Sequence, residues 1–177
     1  IMLCNLFIGG CSLEQPWNNW REEKTAYDYE IYLPGETEMT RADEVALHEA
    51  VEDEDWDVIT IQQCSHFSGI RESYTPYLSE LAEYCRMVQP KAKIMLHQTW
   101  AYEQGSKRLN EELKYGDYKD MLNDIVICYE RYASFMYVSH ENNHIRQDPA
   151  LNDDRTINSS KFENLENLYV EQEKLFL

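Results

Sequence analysis

Residues 57–69 read DVITIQQCSHFSG, and the fold turns on how that stretch is interpreted. Val58, Ile59, Thr60 and Ile61 form a short β-branched run suited to a buried strand. It then breaks into Gln62, Gln63, Cys64, Ser65 and His66, with Gly69 just beyond. Open α/β sheets place their ligands at the carboxyl ends of such strands. The plainer reading is that these polar groups cap the strand and satisfy its last backbone groups.

Upstream of that stretch, residues 1–8 (IMLCNLFI) are apolar almost throughout and predict a strand buried on both faces of a parallel sheet. The run ends at Gly9-Gly10-Cys11-Ser12. Residues 13–39 read as irregular or partly helical surface, closed by the Pro34-Gly35 turn signal. Thr40 opens a predicted helix, with Asp43 completing a capping-box pattern and Ala42, Val45, Ala46, Ala50 and Val51 as its apolar stripe. His48 lies on this helix as a partly exposed residue.

Downstream, Thr75-Pro76 starts a helix whose stripe is Leu78, Leu81, Ala82, Cys85 and Val88, and Pro90 stops it. Residues 93–97 (KIMLH) predict another buried strand, running into Gln98, Thr99, Trp100 and Tyr102. Asp117 caps a third helix through Tyr118, Met121, Leu122, Ile125, Cys128, Tyr129 and Tyr132. Residues 135–138 offer a fourth strand. Ser160 and Glu163 form a capping box for a last helix carrying Phe162, Leu165, Tyr169 and Leu175.

Alternating strands and helices predict a parallel sheet with helices on both faces and right-handed crossovers, folded as a single domain over residues 1–177. All three polar strand ends, residues 9–12, 62–66 and 97–100, then fall on one edge of that sheet. Glycine-flanked backbone N–H groups there can face a developing oxyanion, with a nearby glutamine side chain as a further donor. A serine near an imidazole is the minimum for acyl transfer, so Ser12, Ser65, His66 and His97 are the candidates. Neither a GxSxG elbow nor a Gly-rich phosphate loop is present. His140 and His144 have a metal-like spacing but no evident third ligand, and read as solvated loop histidines. The residues call for no metal and no cofactor.

Sixteen Lys and Arg against 33 Asp and Glu leave a net charge of −17. Such a field repels nucleic acid and anionic membranes, which excludes both as expected partners. An aromatic content of 12% and a hydrophobic content of 43% argue against disorder. The five cysteines are widely spaced without a CxxC pair, so they predict buried thiols in a reducing, cytoplasmic compartment. No stretch approaches the roughly 20 apolar residues of a membrane span, and no signal peptide is visible, although Ile1 stands where an initiator would.

The blocks NLFIGGCSLEQPWNNW (residues 5–20), EDWDVITIQQCSHFSGI (54–70), ESYTPYLSELAEY (72–84) and KAKIMLHQTWAYE (91–103) closely resemble an uncharacterised bacterial branch of the SGNH (GDSL-like) hydrolases. The resemblance spans roughly residues 5–134. It implies a three-layer α/β/α, flavodoxin-like sheet and hydrolysis of small-molecule or glycan O-acyl esters. Gly10 resembles the glycine that donates its N–H to the oxyanion. Gln63 and Ser65 fall where a further donor belongs, and His66, His97 and Trp100 resemble site-lining residues. The branch carries its nucleophile in a Gly-Asn-Ser-Phe block, which the resemblance would place upstream of Ile1, leaving Ser12 as the fallback nucleophile within this chain. The family's closing Asp-x-x-His is not found, and residues 135–177 resemble a diverged tail. A catalytically inactive remnant or ligand-binding domain is the alternative. A sheet without its first strand predicts low stability, or a repairing of residues 1–8 directly beside residues 58–61.

Overall fold

A computed structural model describes residues 1–138; the expected last helix and the histidines at 140 and 144 lie outside them. The described chain is a mixed α/β structure with two small sheets. The first is antiparallel, in the order β1 (Leu3–Phe7), β2 (Thr25–Tyr32), β3 (Thr40–Ala46). The second is a parallel pair, β4 (Val58–Ile61) and β5 (Lys93–Leu96). Four α-helices accompany them: α1 (Glu14–Arg21), α2 (Leu47–Glu52), α3 (Tyr77–Val88) and α4 (Tyr118–Val138).

The parallel pair, α3 and the start of α4 match the expectations from periodicity. Val58 pairs with Lys93 and Ile61 with Leu96, and the His97 N–H donates to Ile61 O at 2.8 Å beyond the last pair. Neither strand is buried on both faces, however. Ile59 and Ile61 pack on the core while Val58 is 47% exposed, the alternation of a half-buried strand. On α3, Leu78, Leu81, Ala82 and Cys85 are buried, and Gln89 at its end donates to Val51 O and Glu54 O, both at 2.8 Å. Asp117 caps α4 by accepting from Lys119 N–H at 2.9 Å.

Elsewhere the structure corrects the sequence. Residues 1–8 join neither a parallel sheet nor β4; Leu3–Phe7 pairs antiparallel with β2, Leu3 opposite Tyr32 and Phe7 opposite Asp28. Leu3 and Phe7 are 60% and 46% exposed, so apolarity here does not mark two buried faces. The partner strand lies within residues 13–39, expected to be irregular or partly helical. Buried Tyr27 and Tyr29 alternate with less buried Asp28 and Glu30, the period of two that makes β2 a strand. Pro34-Gly35 turns β2 toward β3, with Gly35 in the left-handed region at φ +85°.

The helix expected from Thr40 starts only at Leu47. Glu44 has φ +57°, which no helix accommodates, and Arg41 pairs with Asp28 across the hairpin at 2.5 Å. The N-terminal cap comes instead from Glu49, whose carboxylate accepts the Ala46 N–H at 2.7 Å. His48 is exposed, as expected. Residues 135–138 continue α4 rather than forming a strand. Leu13, Tyr74, Leu109, Met121, Ile125 and Cys128 form the most deeply buried part of the core, with α1 held against α3 by Trp17 Nε1–H donating to Glu80 Oε2 at 2.6 Å.

Candidate functional site

Because β4 and β5 are parallel, the loops after them leave the same end of the pair. The loop after β1 reaches that end too, although β1 belongs to the other sheet. Gln63 makes the link. Its side chain is wholly buried, and its Oε1 accepts the N–H of Leu13 at 3.1 Å and of Cys64 at 2.8 Å. Its Nε2 donates to Ser73 O and Ser73 Oγ, both at 3.0 Å. Gln63 therefore joins three segments, and its amide has no N–H left to offer an oxyanion. The expected donor is a strut.

The loop of residues 64–74 is held as tightly. Phe67 N–H donates to Cys64 O and Ile70 N–H to Phe67 O, at 3.0 and 2.9 Å. Ser68 is fully buried, its Oγ donating to Ser65 O and its carbonyl accepting from Tyr74 Oη, each at 2.8 Å. Gly69 packs against α4, where a Cβ would meet Tyr115 Oη at 3.0 Å and Asp124 Cβ at 3.1 Å. Ser65 is partly exposed at the turn.

Gly10 sits in the left-handed region at φ +70° with open space around it, shaping the turn that delivers Cys11 and Ser12. No hydrogen bond joins Ser12 Oγ to an imidazole among the described residues. His66 instead has its Nε2 3.5 Å from Cys64 Sγ and its ring 4.3 Å from that of Phe67. His97 is exposed, and Trp100 is 78% exposed. The candidates thus gather at one end of the parallel pair without forming a serine–histidine dyad.

Two free thiols, Cys11 and Cys64, lie in these loops. Burial, with a smaller contribution from Cys64, pushes Cys11 up to about 11. Burial also raises Cys64, while the backbone N–H groups of Phe67, Cys64 and His66 face its sulfur and lower it in part. Gln63 holds the Leu13 N–H and the Cys64 N–H on one oxygen, a link across 50 residues that nothing in the spacing announces. Beneath them, Tyr129 lies against the N–H groups of Gln63 and Thr99 and the Tyr74 hydroxyl, yet neither its hydroxyl nor Thr99 Oγ1 has a partner in hydrogen-bonding geometry. No group of three or more His, Cys, Asp or Glu suited to a metal ion occurs among the described residues. No helix among them is long and apolar enough to cross a membrane.

Residues 1–166 match the profile of a family described as a domain of unknown function (DUF4886). Among solved structures, the chain is similar to a DUF4886 family protein from Bacteroides uniformis ATCC 8492, at 34% sequence identity and a TM-score of 0.71. That match covers 77% of this chain and 52% of the other, so the chain spans about half the length of the solved relative. No curated protein matches.

Proposed function

This chain belongs to the DUF4886 family, and from that footing we propose that it is an SGNH-type ester hydrolase domain acting on small-molecule or glycan O-acyl esters. One observation carries the proposal. Gln63 binds the glycine turn after β1 to the end of β4, so that residues 9–13, 62–67 and 97–100 gather at one end of a parallel pair. That is where open α/β sheets hold their ligands. The reading includes a three-layer α/β/α, flavodoxin-like sheet, of which β4 and β5 supply two adjacent strands. Within it the Gly10 N–H is the oxyanion donor. Ser65, His66, His97 and Trp100 line the acyl ester, and Ser12 is the nucleophile this chain can offer.

A second reading, a ligand-binding domain without catalysis, is favoured by two findings at the same place: no imidazole among the described residues hydrogen-bonds to Ser12, and the Gln63 amide is fully committed. Labelling with a serine-reactive fluorophosphonate, read by mass spectrometry of the digested protein, separates them. An adduct on Ser12 that disappears in Ser12→Ala is the result expected of the hydrolase. A folded chain that takes no adduct on Ser12 overturns catalysis by this serine and leaves the binding reading.

A further inference from the structure

We propose that the free edge of β1 is a self-pairing surface, through which two copies of this chain join their antiparallel sheets into one continuous sheet. Among the described residues β1 pairs on one side only, with β2, so its other side presents unpaired backbone N–H and C=O groups. Natural sheets blunt such an edge with charge, proline or a kink. The opposite edge of this same sheet is blunted: β3 carries Arg41, Asp43 and Glu44, and Glu44 takes φ +57°. The β1 edge is not. Its residues, LCNLF, hold no charge and no proline, and residues 1–13 contain no charged side chain in a chain whose net charge is −17.

The strand also fits itself. Closed dimers are built on a two-fold axis, which sets an edge strand antiparallel to its own copy. An axis through Asn5 aligns the whole of β1: Leu3 faces Phe7 of the second copy, Cys4 faces its Leu6, and the two Asn5 residues face each other. Leu3 and Phe7, 60% and 46% exposed, share the outer face, so this register sets each exposed apolar side chain against the other. The acids beside them are already matched within one copy. Asp28, opposite Phe7, pairs with Arg41, and Glu30, opposite Asn5, accepts from Asn5 Nδ2 at 2.9 Å. A charged partner finds no charge on β1 to meet, whereas a second β1 brings an uncharged strand of the same pattern. The net charge of each copy opposes association, so added salt favours the dimer. The inference draws on the antiparallel sheet alone and stands or falls separately from ester hydrolysis.

Light scattering coupled to size exclusion, on the 177-residue chain, tests it. Expected is a species of twice the monomer mass, whose share rises with protein concentration and with added sodium chloride. Leu3→Lys with Phe7→Lys sets like charges opposite each other at both ends of the pairing and gives a monomer. Leu3→Glu with Phe7→Lys sets opposite charges in the same places and restores the dimer. Both side chains are exposed, and the folding of each variant is checked by circular dichroism. A folded, unsubstituted chain that stays monomeric up to its solubility limit, or that grows beyond a dimer, overturns the proposal. So does a dimer that survives the double lysine variant, or one that the opposite-charge variant fails to restore. The readout on the unsubstituted chain needs no variant to fold.

Discussion

Replacing Gln63 by Leu isolates the contribution of the strut that gathers the three loops. The two side chains are close in size, so the cavity left behind is small, and the loss falls on hydrogen bonding. Leu13 and Cys64 are buried, and each loses the acceptor of its N–H. Ser73 is only partly buried and its hydroxyl keeps Ile70 O as an acceptor at 2.6 Å, so its loss is minor. Two orphaned buried donors at about 1–3 kcal/mol each give about 2–6 kcal/mol, against which not having to desolvate the Gln amide returns about 1 kcal/mol or more. The expected net is about 3 kcal/mol, roughly 150-fold in the folding equilibrium. Urea unfolding followed by tryptophan fluorescence measures it directly. Gln63→Glu adds a signed test. Its carboxyl is buried and faces Ser73 O, so its folded pKa lies above the unfolded value of about 4.3. The stability of that variant relative to the parent is therefore greatest below about pH 4 and falls as pH rises toward neutrality. A Gln63→Leu change within about 0.5 kcal/mol of the parent would refute the strut.

Two further outcomes are expected. Tyr129→Phe removes a buried hydroxyl without a partner and should leave thermal stability unchanged or raised, whereas Tyr74→Phe removes the 2.8 Å bond to Ser68 O and should cost about 1–2 kcal/mol; the opposite order of melting temperatures would contradict the hydrogen-bond assignment. Burial pushes Tyr27 and Tyr115 up to about 12 and raises Tyr74 and Tyr84 as well, so the native state holds phenolic protons that the unfolded chain releases above its ordinary value near 10.0. Stability is then at its full value below about pH 10 and declines as pH rises through 10 to 12, and a urea midpoint that stays flat between pH 9 and 11 would rule this out.

Periodicity made the parallel pair, α3 and α4 legible, because local pattern and tertiary burial agree there: Leu78, Leu81 and Ala82 repeat at helical spacing and are buried on that face. The hairpin was hidden by two local signals that tertiary structure overrides. Thr40 with Asp43 looks like a helix start, but a strand with Tyr27 and Tyr29 on its inner face was available to pair, and Arg41 gained Asp28 across it. The apolar run of residues 1–8 likewise says that a strand exists and nothing about its partner. Connection length does not decide the direction here: the 17 residues between Phe7 and Thr25 include α1, long enough for a parallel crossover, and the chain returns antiparallel all the same.

In the candidate site, the gathering of the loops was legible and the partners of their side chains were not. Residues 62–66 and 97–100 had to meet once β4 and β5 were parallel neighbours, because equal direction puts both carboxyl ends on one side. Residues 9–13 were expected there for the wrong reason, through a shared parallel sheet; they arrive because Leu13 is buried with its N–H on Gln63. A glutamine at a strand end reads from sequence as an available donor, since its chemistry is the same whether it faces a substrate or the core. Burial decides between the two. Once wholly enclosed, the amide has to find partners for both its oxygen and its nitrogen, and those partners are the loops a ligand would otherwise have met. The Gln63 amide, the Cys64 N–H and the Phe67 N–H are thus all committed within the loops that they hold together.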